Sequence, residues 1–203
     1  MLAFCPKIGY NNPIIPRQKV TQMSVLTKKA IKESFRELIE KQPIDQITVR
    51  DITDNCGISR NTFYYHYADM PTLVEEIVMD LAEEIIHSYP DIKSLEQALS
   101  VGAEFILQNR RSAIHILNSS QRYIYERCLM KVCRHVVATY IDVAIPARML
   151  NEQERELMID FYKCMSFGII VNWCDDGMKE NYTNSFKTLL DVRRRILNSN
   201  LDF

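Results

Sequence analysis

The chain has 203 residues, of which 47% are hydrophobic and 25% are charged, and its formal net charge is −1. This balance is typical of a soluble globular protein with one domain or two small ones, and by itself it indicates no nucleic-acid partner. The longest apolar run, residues 167–171, is too short to span a bilayer, and no secretory signal is evident, which predicts a cytoplasmic protein without a membrane partner.

Residues 1–24 are predicted to form a basic, mobile N-terminal arm, because Gly9, Pro13 and Pro16 interrupt any helical period. Residues 1–32 contain six basic residues and no acidic one, a distribution that tolerates a polyanion but is also that of a solvated surface. Met23 is an alternative start, which leaves open whether residues 1–22 belong to the native product.

Residues 25–70 are predicted to form a helix-turn-helix head of three helices. Apolar residues at helical spacing, among them Ile31 and Phe35, predict a first helix over about 25–41. Thr48, with an acid three residues later, is the start signal of a short second helix. Gly57 ends this helix, and Ser59 caps the third.

Residues 71–203 are predicted to form a helical regulatory and dimerisation domain. A long fourth helix starts near Asp69 and Pro71, and further helices are predicted at about 94–109, 111–118, 121–143, 152–177 and 183–198. Alternation of the kind seen in β-strands is nowhere sustained. The predicted fold class is therefore all-α, with a three-helix helix-turn-helix DNA-binding head followed by a helical-bundle C-terminal domain.

The sequence contains no recognisable motif for catalysis. Its five glycines are too dispersed for a phosphate-binding loop, and it has neither a nucleophile elbow nor a zinc-protease motif. Its six cysteines include no pair with zinc-ligand spacing and are expected to be reduced, with a redox-sensing pair as the alternative. We therefore predict no enzyme activity, no catalytic residue, no cofactor and no metal site.

The third predicted helix has the properties of a helix that enters the DNA major groove. Phe63 and Tyr67 form its inner face, whereas its outer face carries small polar, basic and hydroxyl-bearing aromatic side chains. Residues 55–68 contain no acid that phosphate would repel. Short side chains let such a helix lie deep in the groove, where donors reach the base edges.

The run Gly57-Ile58-Ser59-Arg60-Asn61-Thr62-Phe63-Tyr64-Tyr65-His66-Tyr67 resembles the tetracycline-repressor (TetR) family of transcriptional regulators. The similarity extends over roughly residues 27–77. Residues 168–177 also resemble the C-terminal domains of a Firmicute-type subgroup that includes an activator of dihydroxyacetone metabolism. The family resemblance implies a sequence-specific regulator, in the first instance a repressor, that binds a double-stranded DNA operator.

The resemblance implies a role for each matching position. It assigns base edges or the groove wall to Arg50, Arg60, Asn61, Thr62 and Tyr65, and DNA phosphates to Thr48, Ser59, Tyr64 and His66. The family usually has a phosphate-binding lysine where this chain has Met70. Lys28 and Lys29 are predicted to replace that contact.

The last two predicted helices are apolar over more than one stripe, which indicates that each buries two faces and that the chain is a homodimer. The family forms its dimer interface from these helices. An unknown small-molecule effector is expected in the C-terminal domain, with candidate lining residues Phe105, His115, Tyr123, Tyr125, Phe161, Tyr162 and Trp173. Each of these is also explained as a core residue. Control by a partner protein instead of a small ligand, with an activating output, is the alternative.

Overall fold

The computed structural model describes residues 17–89 and 95–179, together with positions 188, 191, 192 and 195. Its elements are α1 (Arg17–Ile39), α2 (Val49–Cys56), α3 (Arg60–His66), α4 (Met70–Ser88), α5 (Leu95–Gln108), α6 (Arg110–Leu117), α7 (Arg122–Ala144) and α8 (Glu152–Asp175). Short 3-10 turns at Ile44–Gln46 and Ala147–Met149 complete them, and these ranges contain no strand. The predicted all-α fold is confirmed.

The first helix is longer than predicted. It begins at Arg17, directly after Pro16, so residues 17–24 are helical and do not belong to an irregular arm. No glycine or proline lies between Arg17 and Ile39, and a backbone without breakers extends a helix even where the apolar period is weak. Residues 1–16 lie outside the described residues, and so does the predicted last helix, except for four helical positions.

Local capping sets the ends of the short helices as predicted. The Thr48 side chain accepts from the Asp51 N–H, and the Asp51 carboxylate accepts from the Thr48 N–H, which completes a capping box at the start of α2. Gly57 ends α2 with φ of 71°, a left-handed conformation that favours glycine. Ser59 then caps α3, and Asp69 caps α4.

The head and the rest of the chain share one hydrophobic core. Phe35 of α1 and Phe63 of α3 are buried in it together with Leu73 and Ile77 of α4. Tyr125 of α7 is buried in the same cluster. Because this core is continuous, the orientation of α3 depends on where α4 and α7 lie.

α8 packs along α7, and ion pairs bind the two helices together near both ends. Arg155 pairs with Asp142 at 2.7 Å, and Arg122 pairs with Asp175 at 2.8 Å. α8 is also long and apolar enough to cross a membrane, by length and composition alone, so the expectation drawn from residues 167–171 was too narrow. Only 17% of its apolar window is buried, which is also the pattern of a helix whose second face awaits a partner.

We expect Ser34→Ala to lower the free energy of unfolding by about 1–3 kcal/mol, because a buried hydrogen-bond network loses its centre. The Ser34 hydroxyl donates to the carbonyl of Ile52 at 2.9 Å and accepts from Asn55 Nδ2 at 3.1 Å, which joins α1 to α2. Urea unfolding measures the change. Ser120→Ala, at an exposed position, is the control and should stay within about 0.5 kcal/mol of the parent.

Candidate functional site

The outer face of α3 is exposed while its inner face is anchored in the core. Tyr65 is 79% exposed and Tyr64 is 56% exposed, whereas Phe63 is fully buried. The Tyr64 ring stands edge-on to Phe63, with 5.5 Å between the ring centroids. Exposed aromatic rings held by a rigid core offer a large contact area at small entropic cost. This face is suited to a macromolecular partner.

Polar candidates surround these tyrosines. Arg60 and Asn61, in the first turn of α3, are exposed, and Thr62 and His66 are half-buried. Arg50 of α2 is exposed and pairs with Asp54 at 3.2 Å. An ion pair this exposed contributes about 0–1 kcal/mol, so the guanidinium can exchange Asp54 for a phosphate or a base edge.

Two of the predicted phosphate contacts already act as helix caps. Ser59 Oγ accepts from the Thr62 N–H at 3.1 Å, and Thr48 Oγ1 donates to the Asp51 carboxylate at 2.7 Å. Both side chains are held at the amino ends of α2 and α3, where unpaired N–H groups attract anions. Their exposed backbone amides are thus as well placed for phosphate as their hydroxyls.

His66 is a neutral hydrogen-bonding group near pH 7. Burial lowers its pKa below the ordinary value of 6.5, and the nearby charge of Lys28 lowers it further. A neutral imidazole contributes no attraction between full charges. If it contacts a phosphate, it does so as a single donor.

The structure separates the two lysines that the sequence grouped together. Lys28 Nζ pairs with Glu76 Oε2 of α4 at 2.7 Å and lies 5.3 Å from the centroid of the Tyr67 ring. Lys32 pairs with the same carboxylate at 2.7 Å. Lys29 is exposed. Lys28 therefore joins α1 to α4, and Lys29 is the better placed of the two to reach a polyanion.

Glu76 is the centre of this network. Burial alone would raise its pKa, but the hydrogen bonds and charges of Lys28 and Lys32 outweigh burial, so its pKa lies below the ordinary 4.5. Tyr67 donates a hydrogen bond to the same carboxylate at 3.3 Å. Burial and the charge of Glu76 together raise the pKa of Tyr67, so its phenol stays protonated.

A second site lies among the helices. A cavity of about 360 Å³ is bounded by residues of α1, α4, α5, α6, α7 and α8. Two of the seven predicted effector residues, Phe105 and Tyr125, line it. Phe35 and Ile39 of the head also line it. Volumes of this order accommodate small organic molecules.

The other five predicted effector residues do not line this cavity. Tyr123 is 64% exposed and Phe161 is 59% exposed, so both point outward. Trp173 is buried, and its indole N–H donates to the carbonyl of Lys179 at 2.9 Å. Tyr162 packs against the cluster of Val137, Ile141 and Ile159, and His115 Nδ1 donates to the carbonyl of Ile39 at 2.6 Å. These residues serve packing, helix junctions or the outer surface.

Sequence reasoning missed Ser166, which lines the cavity from α8. Its hydroxyl is buried and has no hydrogen-bond partner within the described ranges. An unpaired buried hydroxyl costs about 1–3 kcal/mol. The available signal was a lone serine in the apolar stretch 164–171, at helical spacing from Ile170 and Cys174, which line the same wall.

Three cysteines also line the cavity, and burial keeps them as thiols. Burial raises the pKa of Cys133 to about 12 and that of Cys174 to about 11, and it raises the pKa of Cys128 as well. The five cysteines in the described part of the chain are free. Neutral thiols act as small apolar groups, so they favour the packing interpretation over a redox-sensing pair.

Two family models match this sequence. Residues 33–77 match the model described as bacterial regulatory proteins, tetR family, and residues 93–193 match the model described as transcriptional regulator C-terminal region. The chain belongs to the tetR family. The resemblance drawn from residues 57–67 is thereby confirmed, and the protein is a tetR-family transcriptional regulator.

Two relatives and one solved structure place the chain within the tetR family. The uncharacterized HTH-type transcriptional regulator YxbF of Bacillus subtilis is 25% identical over 194 residues, which is 87% of this chain and 48% of YxbF. The HTH-type dhaKLM operon transcriptional activator DhaS of Lactococcus lactis is 26% identical over 87 residues, or 43% of this chain and 46% of DhaS. The chain spans about half the length of the curated relatives it matches.

The similarity to DhaS extends to the fold. The solved structure of the dihydroxyacetone kinase operon activator DhaS has a TM-score of 0.57 to this chain at 18% identity. The match covers 82% of this chain and 96% of that structure. The two proteins therefore share the arrangement of their helices.

We expect Glu76→Gln to lower the melting temperature at pH 7 but to have little effect near pH 3. Glu76 has a lower pKa in the folded protein than in the unfolded chain. Its stabilisation is therefore present above its ordinary pKa and is lost as the pH falls through the folded value. Thermal unfolding between pH 3 and pH 7 measures the difference. Glu84→Gln, exposed on the same helix, should show no such pH dependence, and an equal dependence in both variants would contradict the assignment.

Proposed function

We propose that the protein is a dimeric, sequence-specific DNA-binding regulator that inserts α3 into the major groove of an operator. The observation that carries the proposal is the division of α3 into a buried anchor, Phe63, and an exposed face that bears Arg60, Asn61, Tyr64 and Tyr65. A rigid helix with donors at its exposed amino end is the geometry of base readout. The proposal assigns no chemical reaction to the chain, and it places the protein with the DNA in the cytoplasm.

The proposed DNA contacts fall into two classes. Side chains of the first turn of α3 (Arg60, Asn61 and Thr62) read base edges, with Arg50 and Tyr65 at the groove wall. Thr48, Ser59, Tyr64 and His66 contact phosphates, and Lys29 adds charge from α1. Lys28 acts indirectly by fixing α1 to α4, because its charge already pairs with Glu76. Met70 packs against the head core, so it leaves the phosphate role to other residues.

The proposed dimer uses the outer face of α8. Leu157 is 71% exposed and Phe161 is 59% exposed, an unusual density of bare apolar surface on one helix. A second copy that covers this face would bring two heads to one operator. Two half-sites also supply the affinity that one short recognition helix lacks.

The proposed division of the chain follows from these surfaces. Residues 25–70 form the DNA-binding head, with α1 extending back to Arg17, and residues 71–203 form the regulatory and dimerisation domain. The cavity between them supports control by a small-molecule effector over control by a partner protein. Its occupant would shift α4 or α1 and so change the separation of the two recognition helices. We propose repression as the output, because a dimer bound at a promoter excludes polymerase without any further contact.

Capture of genomic DNA fragments by the purified protein tests the function. The expected product is a short set of promoters that share a pseudo-palindrome, with half-sites roughly 34–36 Å apart or a near multiple. A reporter gene driven by such a promoter should rise when the regulator is deleted. Recovery of random sequence would contradict specific binding, and a fall in the reporter would identify an activator.

Arg60→Ala and Lys29→Ala should separate specificity from affinity. Removing a base contact should cost on the order of 1–3 kcal/mol on the operator and leave scrambled DNA nearly unaffected. Removing a phosphate contact should weaken both duplexes equally and flatten the salt dependence by roughly one log unit. Titration of both duplexes at several salt concentrations measures this. Equal losses on both duplexes for Arg60→Ala would refute base readout at that position.

Phe161→Glu should convert the dimer to a monomer and weaken operator binding in parallel, because a charge cannot be buried in an apolar interface without a partner. Sedimentation velocity at micromolar concentration measures the first effect and operator titration the second. Phe161→Leu keeps the apolar surface and should stay dimeric. A parent protein that sediments as a monomer would refute the dimer.

A further inference from the structure

The unpaired Ser166 hydroxyl is the most informative atom in the cavity. Ser166 is 3% exposed, lines the cavity, and has no hydrogen-bond partner among the described residues. Ser34 is buried to the same 3%, yet its hydroxyl takes part in two hydrogen bonds. Buried hydroxyls in folded proteins are paired with rare exceptions, and an exception that faces a cavity marks a place where a ligand supplies the partner.

The surroundings of Ser166 are almost wholly apolar. Its neighbours on the cavity wall of α8 are Ile170 and Cys174, and α7 contributes Leu129 and Val137. The cysteines on this wall are uncharged thiols, since burial raises their pKa. A charged group here would lose its hydration without gaining a counter-charge, which is prohibitively costly.

The charged side chains of the cavity wall lie on α1, at its junction with α6. Arg36 and Glu40 are one turn apart on α1, and the Ser112 hydroxyl of α6 donates to the Glu40 carboxylate. Arg36 lies within 3.8 Å of Glu33, so it already has a counter-charge. The cavity thus has one polar edge against the head and one isolated hydroxyl in its apolar part.

We propose that the effector is an uncharged, predominantly apolar small molecule whose single hydrogen-bonding oxygen pairs with Ser166 Oγ. This inference rests on the proposed function, in which the cavity holds the effector. The apolar wall selects against ions and polyols, and Ser166 selects one oxygen-bearing compound over its hydrocarbon analogue. Because Phe35 and Ile39 of α1 form part of the same wall, the occupant contacts the DNA-binding head directly.

Isothermal titration calorimetry with four probes tests the ligand class on the full chain at neutral pH. The probes are 1-naphthol, 1-methylnaphthalene of nearly the same shape, the anion 1-naphthoate, and glycerol. The parent protein should bind 1-naphthol about five- to tenfold more tightly than 1-methylnaphthalene, as expected for one net hydrogen bond. It should bind neither 1-naphthoate nor glycerol.

Two variants locate the binding. Ser166→Ala should bind 1-naphthol and 1-methylnaphthalene within about twofold of each other, because the partner hydroxyl is gone. Ile170→Trp, one turn further along α8, should fill the cavity and abolish binding of both. A preference for 1-naphthol that survives Ser166→Ala overturns the inference, as does tighter binding of 1-naphthoate or the absence of binding by any probe.

Thermal unfolding gives a readout without a ligand. Ser166→Ala should leave the melting temperature unchanged or raise it, because an unpaired hydroxyl is removed, whereas Ser34→Ala should lower it. A drop as large as that of Ser34→Ala would show that Ser166 is a paired structural residue and would overturn the inference. Operator binding by the parent protein is measured in parallel. Bound operator without bound probe contradicts the ligand class alone, and bound probe without bound operator contradicts the DNA-binding proposal alone.

Discussion

The burial of Phe63 and Tyr67 against α4 is the interaction on which the rest of the structure depends. α3 has seven residues, and a helix this short is not stable in water by its own hydrogen bonds. It persists because its inner face is buried in a core that also contains Leu73 and Ile77. The recognition face is therefore rigid only as long as α4 stays in place, which ties the DNA-binding surface to the body of the protein.

Polar links join the head to the body on two sides of the cavity. On one side Glu76 of α4 holds Lys28 and Lys32 of α1. On the other side His115 of α6 donates to the carbonyl of Ile39, and the Ser120 N–H donates to Asp45. A molecule in the cavity lies between these two sets of links. Its shape can favour one orientation of the head over another without breaking the shared core.

The exposed face of α8 and the exposed face of α3 belong to one argument. A single recognition helix has too small an interface to bind an operator tightly, and the bare apolar surface at Leu157 and Phe161 is costly unless it is covered. A second copy resolves both problems. The same apolar excess explains why α8 satisfies a composition test for membrane helices, although its Asp160 and Lys163 pair with each other on the surface.

The sequence by itself determined the local features of this protein: the helices, the caps at Thr48, Ser59 and Asp69, and the glycine turn that makes the family recognisable. These features depend on hydrogen bonds between residues within a few positions of each other, so a short pattern specifies them. Only the tertiary structure decided that Lys28 pairs with Glu76 while Lys29 is exposed, and that Phe105 but not Phe161 lines the cavity. The reason is physical. Helical periodicity shows which residues share a face, but the partner of that face is set by contacts between helices far apart in the chain, and an unpaired hydroxyl such as that of Ser166 can be recognised only once every neighbour is in place.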